Sequence, residues 1–227
     1  MIKIIYRLLI FLATSLLLLI VYLSVIGIKT DKFNNEIVSQ IKKIEPQLEL
    51  RIDAVSAKLD LLNLEINAKT IGTDLIYRDK TIELESIKSN ISLRSIINKK
   101  FSLNKIFIST KTLKIKDLIT FIRLLNNDPK LFITEHLIKD GYMVADLKLE
   151  FDDLGNIIEN YEINGFVNDG RINVFKKYNL NKINFIFEIN QKSFKFNDIK
   201  LSLNKKNILL PELQIFKKDK EYLISGT

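Results

Sequence analysis

The sequence predicts a mainly β protein that carries an N-terminal transmembrane helix. Residues 8–28, LLIFLATSLLLLIVYLSVIGI, form 21 consecutive residues without a charge, which is long enough to cross a bilayer as a helix. From residue 48 to residue 227, apolar residues recur at every second position, as in strands with one apolar face. We therefore expect a short amphipathic helix and then a long, curved antiparallel β-meander that forms an apolar groove, interrupted by one or two short helices near residues 117–138.

The apolar segment at residues 8–28 has positive charge on both sides. Lys3 and Arg7 precede it, and Lys29 and Lys32 follow it, so the local charge bias is weak. Because a short N-terminal tail remains in the cytoplasm easily and long downstream domains translocate largely regardless of charge, we expect the body outside the cytoplasm. In a Gram-negative cell this is the periplasm. A cleaved signal peptide is the alternative, but its apolar core is usually about 7–15 residues long.

After this anchor, assigned to residues 1–30, we expect an amphipathic helix over residues 31–46. Asp31 is suited to its N-cap, and Pro46 ends it. Such a helix packs on the sheet or lies on the bilayer, and sheet packing is the more common arrangement. Its apolar face combines four residues at spacings of four, four and three: Phe33, Ile37, Ile41 and Ile44.

The first β-groove segment, residues 47–140, includes a helical insert. Its alternation slips by one residue at Leu61 and Leu62, which indicates a β-bulge or bend. Turn signals at 78–80 (RDK) and 97–100 (INKK) make the strands IELESIKSNISL and FSLNKIFIST antiparallel neighbours. The insert places Leu118, Phe121, Ile122 and Leu125 on one helix face, and Pro129 breaks or restarts the helix.

The second β-groove segment, residues 141–227, alternates more strictly. Asp169 and Gly170 form a strong hairpin signal. The final strand, YLISG, has no return partner in the sequence, so we expect the chain to continue in a longer protein. The turns are expected at DDLGN (152–156), NDG (168–170), NQK (190–192), NKKN (204–207) and KKDK (217–220). The candidate groove residues are Leu147, Leu149, Phe151, Ile183, Phe185, Phe187, Ile189, Leu201, Leu203, Leu213 and Ile215.

Composition argues against several classes of function. The net charge of +8 comes from 29 Lys and six Arg that are scattered along the chain, so we do not expect nucleic-acid binding. There is no Cys, and the single His136 has no second ligand at a suitable spacing, so we expect no metal or cofactor. The carboxylate pairs at 152–153 and at Glu83 and Glu85 fit a turn and a solvent-facing strand. No phosphate-binding glycine loop or nucleophile motif is present, and we expect a protein that is not an enzyme.

The apolar strand faces require a cover. A sheet normally packs against a second sheet or against helices, but two short helical regions cannot cover more than ten strands. A curved meander that leaves one face open forms a trough, which suits the hydrocarbon chains of a lipid because they need apolar contact without hydrogen bonds. The alternative is a sheet that closes into a sandwich and serves as a membrane-anchored scaffold or secretion and assembly protein through protein contacts.

The order of parts resembles the N-terminal region of the AsmA-like family, which includes the TamB and YhdP branches and is related to chorein-type bridge proteins. The resemblance rests on the anchor at 8–28, the helix FNNEIVSQIKKIEP, the strand pair IELESIKSNISLRSIINKKFSLNKIFIST and the segment LKIKDLITFIRLL. The segment LKLEFDDLGNIIENYEINGFVNDGRINVF is similar to the YhdP-type repeat, with its D-x-x-G turn. The resemblance covers nearly the whole chain.

This resemblance implies an inner-membrane-anchored periplasmic groove that binds or conducts phospholipid and supports outer-membrane lipid transport and envelope assembly. It implies no catalytic residues, and it makes membrane lipids and other envelope proteins the partners. The chain departs from the family in its length, because ten to twelve strands stack to only about 50 Å. A fragment, or a short member that needs a partner, would explain that length.

Overall fold

The protein is mainly β, with one long N-terminal apolar helix, a few short helices and an open, curled antiparallel sheet. The computed structural model describes residues 2–31, 34–35, 37–38, 42, 45–93, 103–126, 128–151, 158, 160–174, 177–218 and 221–227. The helices are α1 (Ile2–Val25), α2 (Ile115–Leu125) and α3 (Pro129–Leu137). The strands are β1 (Ile28–Thr30), β2 (Leu48–Asp60), β3 (Glu65–Tyr77), β4 (Lys80–Ser92), β5 (Leu103–Thr110), β6 (Leu113–Lys114), β7 (Ile138–Glu150), β8 (Glu162–Val174), β9 (Tyr178–Asn190), β10 (Ser193–Leu203), β11 (Lys206–Lys218) and β12 (Glu221–Gly226).

The N-terminal helix is long and apolar enough to span a membrane, and none of its span is buried within the protein. Its bounds differ from the predicted segment 8–28, because it begins earlier and ends at Val25. Gly27 ends it with a left-handed backbone (φ 75°), which glycine adopts without strain. Ile28 then belongs to β1 and pairs with Ala57 of β2. The N-terminal helix therefore leads directly into the sheet.

The sheet is a meander in which successive strands are neighbours. The order is β1-β2-β3-β4-β5-β7-β8-β9-β10-β11-β12, with the short β6 paired beside β5 on β7. β4 and β5 pair antiparallel as predicted, and the turns at 78–80, 190–192 and 204–207 are confirmed. The predicted turns at 97–100 and 152–156, and residues 219–220 of the last one, lie outside the described residues.

Two sequence signals were assigned to the wrong local structure. The slip at Leu61 and Leu62 is the turn between β2 and β3, not a bulge or bend within a strand. One carboxylate oxygen of Asp60 accepts hydrogen bonds from the backbone N–H groups of Leu62 and Asn63, both at 3.1 Å. The NDG signal at 168–170 lies inside β8 and forms a bulge instead of a hairpin. Asp169 has φ 50° there, since the left-handed conformation that suits a tight turn also suits a bulge.

Two helical regions pack on the same face of the sheet, which we call the inner face. Phe121 of α2 is buried with Tyr77, Ile82, Leu84 and Leu113. The predicted α2 face was partly wrong, because Ile122 and Leu125 are 38% and 39% exposed and Ile119 is buried instead. Pro129 restarts the helix as α3, where the Asp128 carboxylate accepts a hydrogen bond from the Lys130 N–H at 2.8 Å. His136 lies exposed near the end of α3.

The segment between β1 and β2 also meets the inner face. Ile37 and Val38 are helical and pack against a cluster of Leu50, Ile52 and Val55, as expected for sheet packing. The Asn34 side-chain amide donates a hydrogen bond to the carbonyl of Ile52 at 2.8 Å. The other predicted members of this helix face, Phe33, Ile41 and Ile44, lie outside the described residues.

Candidate apolar groove

Register aligns eight apolar residues across the sheet in what we call the long apolar row. Residues opposite each other in neighbouring strands share one face, so the whole row lies on the inner face with Ile87. Seven steps of about 4.8 Å give it a length of roughly 34 Å. From β4 to β12 its members are Ile87, Ile108, Leu147, Ile163, Ile189, Phe194, Ile215 and Ile224.

A second row runs beside it, and we call it the aromatic row. It contains Ala145, Gly165, Phe187, Phe196 and Leu213 on β7 to β11. The Phe187 ring covers Gly165, since a Cβ added at this glycine would lie 2.6 Å from the Cζ atom of Phe187. Phe187 is consequently only 5% exposed. The rows combine aliphatic and aromatic surface without a polar side chain.

The structure brings five of the eleven predicted groove residues to these rows. Leu147, Ile189 and Ile215 belong to the long apolar row, and Phe187 and Leu213 belong to the aromatic row. The remaining six predicted residues lie on either side of the two rows: Leu149 opposite Ile106, Phe151 just after β7, Phe185 opposite Val167, Ile183 opposite Gly170, Leu201 opposite Ile208 and Leu203 opposite Leu180.

Sequence reasoning missed several members of the rows, namely Ile87, Ile108, Ile163, Phe194, Phe196 and Ile224. In β10, Phe194 and Phe196 have one parity, and Leu201 and Leu203 have the other. A bulge between them, at Asp198 with φ 52°, changes the parity that faces inward. The sequence does carry a signal for this bulge, because the apolar residues change from even to odd positions across Asn197 and Asp198.

Bulges in neighbouring strands line up next to the aromatic row. Positive φ angles occur at Gly141 (129°), Asp169 (50°), Lys182 (53°) and Asp198 (52°), one in each strand from β7 to β10. Register shifts accompany them. Pro211 lies in β11 opposite the same line, where its missing N–H is tolerated. Because each bulge bends its strand and increases its twist, an aligned series curls the sheet.

The inner face is open over the later strands. Within the described part of the chain, α2 and α3 pack on β3, β4, β6, β7 and β8, and neither makes a substantial contact with β9, β10 or β11. There Phe185, Ile189, Phe194, Phe196 and Ile215 remain partly exposed. The two rows therefore form the floor of a groove that is accessible from one side.

Charged side chains lie on the opposite face, which we call the outer face. Lys148 lies 3.3 Å from a Glu150 carboxylate oxygen, Lys105 lies 3.5 Å from the same oxygen, and the Asn160 amide donates to the other oxygen at 2.8 Å. Asn160, followed by Lys148, holds the pKa of Glu150 below its usual value, and a hydrogen bond to Glu150 raises the pKa of Lys148. These charges compensate each other away from the groove.

The groove can hold apolar groups, but its two rows supply no nucleophile, acid or base. Over the described ranges, no group of three or more His, Cys, Asp or Glu side chains is placed to hold a metal ion. Comparisons of the chain with protein-family models, with curated proteins and with solved structures find no match.

Proposed function

We propose that this protein is an AsmA-like, inner-membrane-anchored periplasmic protein that binds or conducts phospholipid in the apolar groove and so supports outer-membrane lipid transport and envelope assembly. The observation that carries the proposal is the long apolar row, an in-register line of apolar side chains on an open face. The N-terminal helix supports a membrane location, since it is long and apolar enough to span a bilayer.

The dimensions of the row suit acyl chains. The hydrocarbon core of a bilayer is about 30 Å thick, so the chains of one leaflet extend about 15 Å. A row of roughly 34 Å therefore accommodates a lipid tail along three or four strand steps and leaves space for another. Lipid headgroups would remain in water at the rim.

The energetics favour exchange over tight capture. Each methylene removed from water contributes about 0.8 kcal/mol, so about ten methylenes that contact the groove floor would be stabilised by about 8 kcal/mol relative to water. A lipid in the bilayer already has this stabilisation. Its transfer to an apolar groove therefore changes the free energy little, and lipid can enter and leave without a catalytic step.

Photo-crosslinking at two adjacent cross-strand pairs tests the proposal. Ile189 pairs with Phe194 on the inner face. Glu188 and Lys195, which are adjacent to them in β9 and β10, pair on the outer face. We expect a photo-reactive amino acid at Ile189 or Phe194 to capture phospholipid in cells, and one at Glu188 or Lys195 to capture none. Equal capture on both faces, or no lipid adduct at the inner positions, would refute the groove.

The alternative, an anchored scaffold that acts through protein contacts, has one observation in its favour. All six residues of β12 are exposed, including Leu223 and Ile224. An exposed strand can extend a sheet by pairing with a strand of a partner. A crosslinker at Leu223 that captures a protein, together with inner positions that capture no lipid, would favour the scaffold.

A further inference from the structure

Four lysines form a basic surface on the outer face of the first strands, and we call it the lysine patch: Lys29, Lys58, Lys69 and Lys88. All four side chains are exposed. Register places Lys29 opposite Ser56, Ser56 opposite Lys69, and Lys69 opposite Lys88, so one line crosses β1 to β4. Lys58 follows Ser56 by two residues on the same face and is a diagonal neighbour of Lys69.

The patch concentrates charge that no described carboxylate neutralises. Lys69 and Lys88 are directly opposite each other, and like charges in this position destabilise a sheet. Among the described residues, no carboxylate lies within ion-pair distance of any of the four lysines. On the adjoining strands, by contrast, Lys105 and Lys148 both pair with Glu150. A ligand with negative charge would relieve the repulsion.

The patch begins where the chain leaves α1. Lys29 follows the last residue of that helix by four positions. A Cβ added at Gly27 would lie 2.7 Å from the Cγ atom of Lys58, so the stem of Lys58 lies against the connection between the helix and the sheet. The patch is therefore next to the surface of any membrane that α1 crosses.

The shape of the surface also suits a headgroup layer. Lys58, Lys69 and Lys88 border a shallow depression of about 400 Å³. Phe107, which is opposite Lys88 on β5, forms part of the same depression and is 36% exposed. Lysines beside an exposed aromatic ring combine attraction to phosphate with an apolar group that enters the interface.

We propose that the lysine patch binds anionic phospholipid headgroups of the bilayer in which α1 is anchored, and so holds the outer face of β1–β4 against the membrane. Basic residues near an anionic membrane surface are attracted within a Debye length of about 8–10 Å. This interaction is independent of the lipid tails proposed for the groove, because it uses the opposite face and recognises charge.

The absence of cysteine makes a direct test possible. The full chain with Asn67→Cys, an exposed outer-face position beside the patch, is labelled with a fluorophore and reconstituted into vesicles of phosphatidylcholine or phosphatidylglycerol that contain a headgroup-linked quencher. We expect stronger quenching in phosphatidylglycerol. Changing the four lysines to glutamine should lower the ratio of docked to undocked protein by about fivefold per lysine.

A matched variant separates the patch from overall charge. Changing Lys200, Lys205, Lys206 and Lys217 to glutamine removes the same charge from exposed positions on or beside β10 and β11, and it should leave the quenching unchanged. The four patch lysines changed to arginine should also preserve it. Equal quenching in both lipids, an equal loss in the distant variant, or a loss in the arginine variant would overturn the proposal.

Discussion

At the scale of single residues, the groove depends on the complementarity of Gly165 and Phe187. These residues are opposite each other in β8 and β9, and the aromatic ring occupies the space that a side chain at position 165 would take. The ring belongs to an aromatic group on the inner face. The centroid of the Phe185 ring lies 6.1 Å from that of Phe187 and 5.6 Å from that of Phe196. A glycine weakens a strand in general, but here it lets a large apolar side chain cover the sheet.

We expect Gly165→Ala to destabilise the protein. The new Cβ would lie 2.3 Å from the Val144 carbonyl oxygen and 2.6 Å from the Phe187 ring, so the ring must move off the floor. Overpacking of this kind costs about 1–3 kcal/mol, and each kcal/mol lowers the midpoint of thermal unfolding by about 2–4 °C in a chain of this size. Thermal unfolding of the purified full chain measures the change.

Gly226→Ala is the control for this substitution, because a Cβ there meets nothing closer than 3.3 Å. It should leave the midpoint nearly unchanged. Adding Phe187→Leu to Gly165→Ala should recover part of the loss, since it removes the far end of the ring. An unchanged midpoint for Gly165→Ala would contradict the covered-glycine interpretation.

At the scale of elements, one carboxylate joins the two helices of the insert. Glu135 of α3 accepts hydrogen bonds from the Thr120 hydroxyl and from Nε of Arg123, both in α2 and both at 2.6 Å. The hydrogen bond from Thr120 is the main cause that lowers the pKa of Glu135, burial opposes it, and Arg123 adds to the lowering. The two helices are thereby held as a pair at the inner face, where Phe121 of α2 enters the core.

This pair should be sensitive to pH. Because the pKa of Glu135 is lower in the folded protein than its ordinary value of 4.5, its ionised form stabilises the fold above that pH, and this contribution is lost as pH falls through the folded value. We expect Glu135→Gln to lower stability by about 1–2 kcal/mol near neutral pH and to match the wild type in acid. Thermal unfolding across the pH range measures this difference.

The exposed Glu85 supplies a matched control for the Glu135 test. Glu85→Gln removes the same charge, but it should change neither the stability nor its pH dependence. Hydrogen exchange should locate the Glu135→Gln effect in α2 and α3. A difference from wild type that persists undiminished in acid would contradict the assigned role of the ionised carboxylate.

Local patterns predicted the elements well where one physical cause acts alone. The period of two predicted the strands, because one face of each strand is apolar, and polar two-residue links such as Arg78 and Asp79 predicted the hairpins. The bulges were different. Asp169 and Gly170 have the residue types of a hairpin, and only pairing with both neighbouring strands makes the site a bulge. Whether this site forms a hairpin or a bulge therefore depends on β7 and β9, and the local sequence does not encode it.

At the scale of the whole molecule, the groove forms because the register of the sheet aligns apolar residues from strands that are far apart in the sequence. No single strand specifies it, since each of the strands β7 to β11 contributes only one residue to each row. Ile163, the β8 member of the long apolar row, was not predicted from its own segment. The aligned bulges curl the sheet, and the helices cover only its earlier strands. The curvature of the sheet, the partial cover by the helices and the long apolar row together leave an apolar surface open to a ligand.

We expect a charge in the middle of the long apolar row to remove bound lipid. Ile163→Lys places an ammonium group on the groove floor between Leu147 and Ile189, whereas Asn164→Lys adds the same charge to an exposed outer-face position one residue away. A lysine that faces hydrocarbon costs about 2–4 kcal/mol, so phospholipid occupancy of Ile163→Lys should fall at least about tenfold. Native mass spectrometry of the purified full chain measures occupancy, and thermal unfolding checks that both variants fold. Wild-type occupancy in Ile163→Lys, or an equal loss in Asn164→Lys, would contradict a lipid groove on the inner face.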